Sequence, residues 1–293
     1  MPELPEVETI ARSLRGPRPD QPAILGRTIQ SVTLRWPRHV AAPSPEAFAR
    51  DLRGLPIEAV GRRGKYLLLR LDGLWLLLHL RMSGDLRVLP SDAPLEKHDL
   101  TLLHLSGGVD LRFHDPRRFG RLWLVSDPAQ ILGSLGPEPL EEAFTAQDLA
   151  RRLRGRRRLL KPLLLDQTFL AGLGNIYADE ALHRAGLHPL RRSDTLRPEE
   201  TRALWRGIRA ALRAGLRHNG ASIDWVYRGG DFQNHFRVYG RAGEPCPACG
   251  ASIRRIRVGQ RSTHYCPHCQ PWRGAGPPRA GRSSGRDSKV NFR

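Results

Sequence analysis

The chain is poor in three things. It has four cysteines, all of them between residues 246 and 269, so no disulfide framework staples its 293 residues together. Acidic residues are scarce beside basic ones, 29 against 48, and the net charge of +19 disfavours cationic partners and points to a polyanion. It has no uninterrupted apolar run of membrane-spanning length. Its first residues are acidic rather than basic-then-apolar, which argues against a secretory leader. The expected setting is therefore cytoplasmic, associated with the nucleoid, and the length allows two domains with ordinary cores.

What is present falls into segments. "PEVETIARSLR" places Val7, Ile10, Ala11 and Leu14 on one helical face, with Pro5 at the start and Gly16 at the end. From Arg27 to Val125 the pattern is mostly β: "RTIQSVTLRW", "KYLLLRL", "LWLLLHL", "LTLLHL" and "VDLRF" read as strands, with a hairpin turn at Asp72–Gly73. These strands suggest a sandwich. We divide the chain into an N-terminal domain over 1–126, a Pro/Gly-rich connection over 127–140, a helical domain over 141–236, a cysteine module over 237–270 and a basic tail over 271–293. The tail's Gly/Ser/Arg composition is that of a disordered segment.

The cysteines read Cys246-x2-Cys249-x16-Cys266-x2-Cys269. Two such knuckles suit one tetrahedral Zn²⁺ with no open position, a structural metal. Between them lies a basic hairpin pattern with Arg254, Arg255, Arg257 and Arg261. Such a ribbon also fits a non-enzymatic DNA-binding, ribosomal or transcription protein. "LAGLGNIYADEAL" combines close-approach glycines with a helix start at Asn175, either an ordinary capped turn or a phosphate site on free helix amides. "HLRMSG" and "HDPRRFG" set Met82 and Phe119 on polar loops, as core residues or as wedges that open a base stack.

The start "MPELPE" has two readings as well. One is a plain helix entry. The other is chemical: removal of Met1 leaves Pro2 with a free secondary amine. An α-amine with a pKa of about 7.7–8.0 is roughly a fifth to a third unprotonated near neutral pH. Attack by a secondary amine on a sugar C1′ gives an iminium, an electron sink for elimination, with Glu3 beside it as acid or base.

Taken in order, "MPELPEVET", "GRRGKYLLL", "HLRMSG", "EKHDL", "DPRRFG", "LLDQTFLAGLGNIYADEAL" and "CPACG…GQRSTHYCPHC" closely resemble the bacterial formamidopyrimidine-DNA glycosylases, bifunctional repair enzymes for oxidised purines. The likeness runs from residue 1 to about residue 270. It implies an α+β fold: an N-terminal helix with a β-sandwich, then a helix–two-turn–helix domain with a zinc-finger β-hairpin. It also implies a monomer acting on double-stranded DNA with oxidised or abasic sites, without a protein partner. By that likeness Pro2 is the Schiff-base nucleophile and Glu3 the proton donor. Lys65 would assist β-elimination and Arg261 δ-elimination. His98, Arg117, Arg156, Lys161 and Asn175 would contact DNA. Met82, Arg117 and Phe119 would fill the gap left by the flipped base. Two features depart from a simple match. The 219–235 loop looks shorter than the family's lesion-covering loop, and it carries Trp225. The sister enzyme endonuclease VIII, which favours oxidised pyrimidines, usually begins "PEGPE", so Leu4 and "DPRRFG" favour the purine enzyme.

Overall fold

The computed structural model describes residues 1–16, 22–222 and 229–273. Trp225 and the tail from 274 onward lie outside the described residues. Helix α1 (Leu4–Arg15) begins with Pro5 in its first turn and Glu6 against the positive end of its dipole. It is followed by β1 (Ile29–Leu34), β2 (Val40–Ala42), α2 (Pro45–Leu52), β3 (Ala59–Arg63), β4 (Tyr66–Arg70) and β5 (Trp75–His79). Then come β6 (Asp85–Pro90), β7 (Asp99–Leu105), β8 (Val109–His114) and β9 (Arg121–Val125).

The strands form two sheets, ordered β1-β7-β8-β6 and β2-β9-β5-β4-β3, antiparallel throughout except for the β2/β9 pair. Between them lies a core that includes Phe48, Leu67, Leu69, Leu76, Leu103, Leu111 and Phe113. The expected sandwich is present. The hairpin at Asp72–Gly73 joins β4 to β5, with Gly73 at φ +66°. Helix α2 was not anticipated, although Ser44 caps it by accepting the Ala47 N–H and Pro45 opens it. Strands β2, β3, β6 and β9 were not read from the sequence either: "VAA" and "AVGRR" are too short or too polar for a clear alternation, whereas "DLRVLP" and "RLWLV" do alternate and carried the signal.

The second half contains α3 (Ala129–Leu132), a single turn inside the Pro/Gly-rich connection, then α4 (Ala146–Leu153), α5 (Leu160–Leu165), α6 (Asn175–Ala185) and α7 (Pro198–Arg217). Leu163, Phe169, Tyr177, Leu182, Leu204, Ile208 and Leu212 make its core. Leu4 belongs to this core, whereas Val7, Ile10 and Leu14 belong to the sandwich. One helix therefore stitches the two halves together and fixes the chain's first residues at their junction. The final element is the hairpin β10 (Arg254–Val258) and β11 (Arg261–Tyr265), closed by Gly259 and Gln260, both at positive φ. Among the described residues no helix is long and apolar enough to cross a membrane.

Candidate active site

Glu3 immediately precedes α1 and is only 2% exposed. Its carboxylate accepts the backbone N–H groups of Gly174 (2.7 Å), Ile176 (3.0 Å) and Tyr177 (3.3 Å), the first amides of α6. The anion site read from "LGNIYADEAL" exists, but Glu3 occupies it, which corrects the expectation of a phosphate there. The glycines make this approach possible. A Cβ on Gly174 would lie 2.3 Å from Glu3 Cδ, and one on Gly172, at φ +90°, would lie 2.8 Å from Leu4 Cβ. Leu4 N–H also donates to the Gly172 carbonyl at 3.0 Å.

Glu6 supports Glu3 from below. It accepts the N–H of Glu3 (2.8 Å), the N–H of Ala221 (2.7 Å) and the Tyr177 hydroxyl (2.7 Å). Burial, and then the neighbouring Glu3 charge, push its carboxyl above the usual range, while these three donors pull the other way. Pro2, next in the chain, is buried, and Met1 outside it is 46% exposed. Neither Glu6 nor Tyr177 was placed in the site from the sequence. The Glu3 N–H contact of Glu6 is a local capping box, but the Glu6–Tyr177 and Glu3–Tyr177 contacts join residues more than 170 positions apart and leave no local signal.

Lys65 sits in the tight β3–β4 turn, with Gly64 at φ +57° packed against Ala171 and Gly172. It is 5% exposed. Burial lowers its pKa from the ordinary lysine range and nearby Arg261 adds to this, against the opposing pull of Glu3 and Glu6. These four groups therefore share one electrostatic neighbourhood. Glu138, from the connection, fastens the turn: it accepts Arg62 Nη1 (2.9 Å) and pairs with Arg63 Nη1 (3.2 Å) and the Gly64 N–H. An acid between two prolines was the available signal, read there only as a linker.

The loops holding Met82 and Arg117–Phe119 meet each other. Met82 is 44% and Phe119 52% exposed, and Arg117 Nη1 lies 3.6 Å from Met82 Sδ. Asp115 locks them together: it accepts the Ser83 hydroxyl (2.6 Å) and the Gly120 N–H (2.7 Å), and His39 Nε2 lies 3.4 Å away. These partners hold its carboxyl below the usual range although burial opposes them. The His98 carbonyl accepts the Asp115 N–H at 2.9 Å, which sets His98 beside the same loops. Arg156 lies over Phe169 at 5.5 Å, with Nε donating to the Arg152 carbonyl.

Lys161 departs from expectation. Its side chain is 0% exposed and is held by Asp179 and the Asn175 carbonyl, so it has no surface to offer a phosphate. It instead braces Asp179, whose other oxygen accepts the His264 N–H of β11 at 2.9 Å. Asn175 Nδ2 donates to the Ser262 carbonyl at 3.1 Å. Together these contacts dock the hairpin on α6 and set exposed Arg261, the first residue of β11, near Lys65 and Glu3.

The four cysteine sulfurs lie within 4.8 Å of one another, with Cys249–Cys266 at 3.5 Å and Cys246–Cys269 at 3.9 Å. A tetrahedron of Zn–S bonds of about 2.3 Å requires sulfurs about 3.8 Å apart, so the residues fit the ion. His183 Nε2 lies 3.4 Å from Cys246 Sγ. Burial, with Arg237 and Arg184, pushes His183 down to about 4. It is therefore neutral at pH 7, able to donate an N–H to a metal-bound thiolate.

Residues 1–122 match the formamidopyrimidine-DNA glycosylase N-terminal domain, 135–226 the H2TH domain of the same enzymes, and 243–271 the zinc finger found in FPG and IleRS. The chain is 49% identical over 278 residues to a formamidopyrimidine-DNA glycosylase of Roseiflexus sp. (strain RS-1), covering 92% of this chain and 100% of that one. It is 46% identical over 278 residues to the enzyme of that name from Herpetosiphon aurantiacus, with the same coverage. Among solved structures, a MutM complex with DNA containing carbocyclic 8-oxo-G aligns with a TM-score of 0.85 at 39% identity. A Lactococcus lactis Fpg complex with Fapy-dG DNA aligns with a TM-score of 0.85 at 38% identity. Each alignment covers 92% of this chain and 100% of the other.

Proposed function

The chain belongs to the formamidopyrimidine-DNA glycosylase family, and from that premise we propose how its own residues carry out the chemistry. It is a DNA glycosylase of base excision repair that removes oxidised purines and holds one structural zinc. With Met1 removed, the Pro2 nitrogen attacks C1′ of the damaged nucleotide while Glu3 delivers the proton that lets the sugar ring open at C1′–O4′ or the base depart. The resulting iminium acidifies C2′–H. Lys65, its pKa lowered, takes that proton as the C3′–O bond breaks. Arg261 holds the phosphate through the second elimination, at C5′–O. Met82, Arg117 and Phe119 occupy the space left in the duplex, and His98 and Arg156 line the approach of the backbone.

The observation that carries this reading is the fixing of Glu3 by three amides of α6, one residue from the chain's start and in the same field as Lys65 and Arg261. A carboxylate held this way keeps one geometry throughout a multistep reaction. The compartment we infer is the cytoplasm, at the nucleoid. The test is borohydride trapping on a duplex with 8-oxoguanine opposite cytosine, beside a dihydrothymine duplex. A covalent adduct mapping to Pro2 and favouring the purine lesion is expected. Preference for the pyrimidine would move the chain to the endonuclease VIII specificity. No adduct from protein verified to lack Met1 and to bind DNA would remove the Schiff-base chemistry.

A further inference from the structure

Apart from the cysteines, a second constellation of metal-ligating side chains lies where the 219–230 segment begins and ends. His218 caps the C-terminus of α7, Asp231 immediately precedes the one-turn helix Phe232–His235, and His235 is its last residue. The backbone already joins the two ends: Asp231 N–H donates to the His218 carbonyl at 2.8 Å, and Phe232 N–H to the Gly220 carbonyl at 2.9 Å. On this frame Asp231 Oδ2 lies 3.0 Å from His235 Nε2 and 3.7 Å from His218 Nδ1. One ligand atom from each of the three falls within 4.8 Å of the other two. The imidazole centroids are 3.6 Å apart with the rings 29° from parallel.

We propose that His218, Asp231 and His235 bind a borderline divalent ion such as Zn²⁺ or Ni²⁺, which clasps the two ends of the 219–230 segment.

The donor set argues for this class of ion. Two imidazoles and one carboxylate suit zinc, nickel or copper, whereas calcium and magnesium need more oxygens than the cluster offers. Zinc bonds of about 2.0–2.2 Å put neighbouring donors roughly 3.3–3.6 Å apart. The two Asp231 distances are already close to this, and the two imidazole nitrogens, within 4.8 Å of each other, need to close by at most about 1.5 Å. One ring must also turn about its Cβ–Cγ bond so that the two in-plane lone pairs converge. His218 is 32% and His235 44% exposed, which leaves room for that rotation. Asn234 Nδ2 donates to the other Asp231 oxygen, Oδ1, and orients the carboxylate without using the oxygen that faces the rings. Three protein ligands leave a coordination position to water.

The consequence reaches the active site through packing. Phe232, which follows Asp231, stacks on Tyr177 with centroids 5.3 Å apart and planes 2° apart, and Tyr177 holds Glu6. A metal at the clasp would therefore fix the element that backs the Glu6–Glu3 pair.

The full chain, freed of any affinity tag and shown by metal analysis to carry one Zn²⁺, is titrated with Ni²⁺ by calorimetry. Absorption in the thiolate-to-metal region reports any exchange at the cysteines. One further equivalent, bound without thiolate absorption, is the expected result. Its affinity should fall tenfold or more in His218→Gln and in His235→Gln, and the binding should vanish in the double variant. Failure to bind a second equivalent overturns the proposal. So does a second equivalent that survives in a double variant with unchanged thermal unfolding, since the ion then sits elsewhere. The readout is metal binding alone, so it stands apart from the glycosylase reading.

Discussion

Glu3 and Glu6 are each 2% exposed and have their oxygens met by backbone amides and a tyrosine hydroxyl, whereas Met82 and Phe119 leave 44% and 52% of their surface to water. The first region hides charge and the second displays apolar surface, each against the ordinary tendency of its residue type. The buried carboxylates are tolerated because their oxygens are met by donors: glycines at 174 and 220 admit Glu3 and Glu6, and the N-terminus of α6, Tyr177 and Ala221 hold them. In the free protein the Arg117 guanidinium lies against the Met82 sulfur, a contact that is itself exposed, and on the proposed reading these side chains serve the duplex. A substitution in the first region should therefore disturb fold and chemistry together. One in the second should disturb chemistry alone.

The largest effect is expected at Glu3. Glu3→Gln removes the transferable proton, and base excision from an 8-oxoguanine duplex should fall by about 10²–10⁴ in single-turnover assays. Gln retains one carbonyl oxygen for the α6 amides, so thermal unfolding should show a loss of about 1–3 kcal/mol rather than collapse. Gly174→Ala tests the packing side: its Cβ would meet Glu3 Cδ at 2.3 Å, and excision should fall with the acid chemically intact. The accompanying stability loss is about 1–3 kcal/mol, the ordinary penalty of overpacking.

Lys65 comes next, and its pH dependence has a definite sign. Its folded pKa lies below the unfolded value of a lysine, so the buried site favours the neutral amine. The stability linked to it is present above the unfolded pKa and is lost as pH falls through the folded one. Lys65→Met should accordingly raise the unfolding temperature at neutral pH. The same neutral amine is the proposed base, so β-elimination at an abasic site should rise with pH and level off before the ordinary lysine range. Lys65→Arg, which stays charged, should lose about 10²-fold or more in that step while leaving base excision far less affected. A flat pH profile for β-elimination in the native chain would remove Lys65 from the role.

How much of this was readable beforehand depended on distance along the chain. The zinc cysteines are separated by fixed short spacings, and α1 by its own periodicity, so both were legible. The family resemblance supplied Glu3 and Lys65 as residues. It did not supply the fact that binds them, an α6 N-terminus seated on Glu3 from more than 170 residues away. Lys161 was misplaced for a related reason. In "RRLRGRRRLLK" it ends a run of cations that looks like one basic face, but helical geometry turns it inward, onto Asp179, while Arg157 and Arg158 stay exposed. Charge density along a sequence does not say which way a side chain points.

Asp115 lies between the two regions, and so should its effect. It is buried yet it holds exposed loops, through Ser83 and Gly120. Its carboxyl is depressed, so its contribution to stability is present above the unfolded aspartate range and lost as pH falls through the folded value. Asp115→Asn should unfold more readily by about 1–3 kcal/mol at neutral pH, and the difference should shrink as pH falls below the ordinary aspartate range and the native acid protonates. Excision should fall severalfold because the Met82 and Phe119 loops lose their common anchor.

Met82→Ala should have the smallest effect and is the sharpest test of the contrast. The side chain is half in solvent, and the contact of its sulfur with the Arg117 guanidinium is itself exposed, so the folded state loses little: unfolding free energy should change by no more than about 0.5 kcal/mol. On the proposed reading its partner is the duplex. If the side chain offsets about 1–1.5 kcal/mol of the cost of unstacking a base, kcat/KM on an 8-oxoguanine duplex falls roughly tenfold. The same variant on a single-stranded abasic substrate, with no stack to open, should match the native chain. Equal losses on both substrates would mean that Met82 shapes the pocket around the sugar, and the division between a region built for the fold and one built for the duplex would fail at this residue.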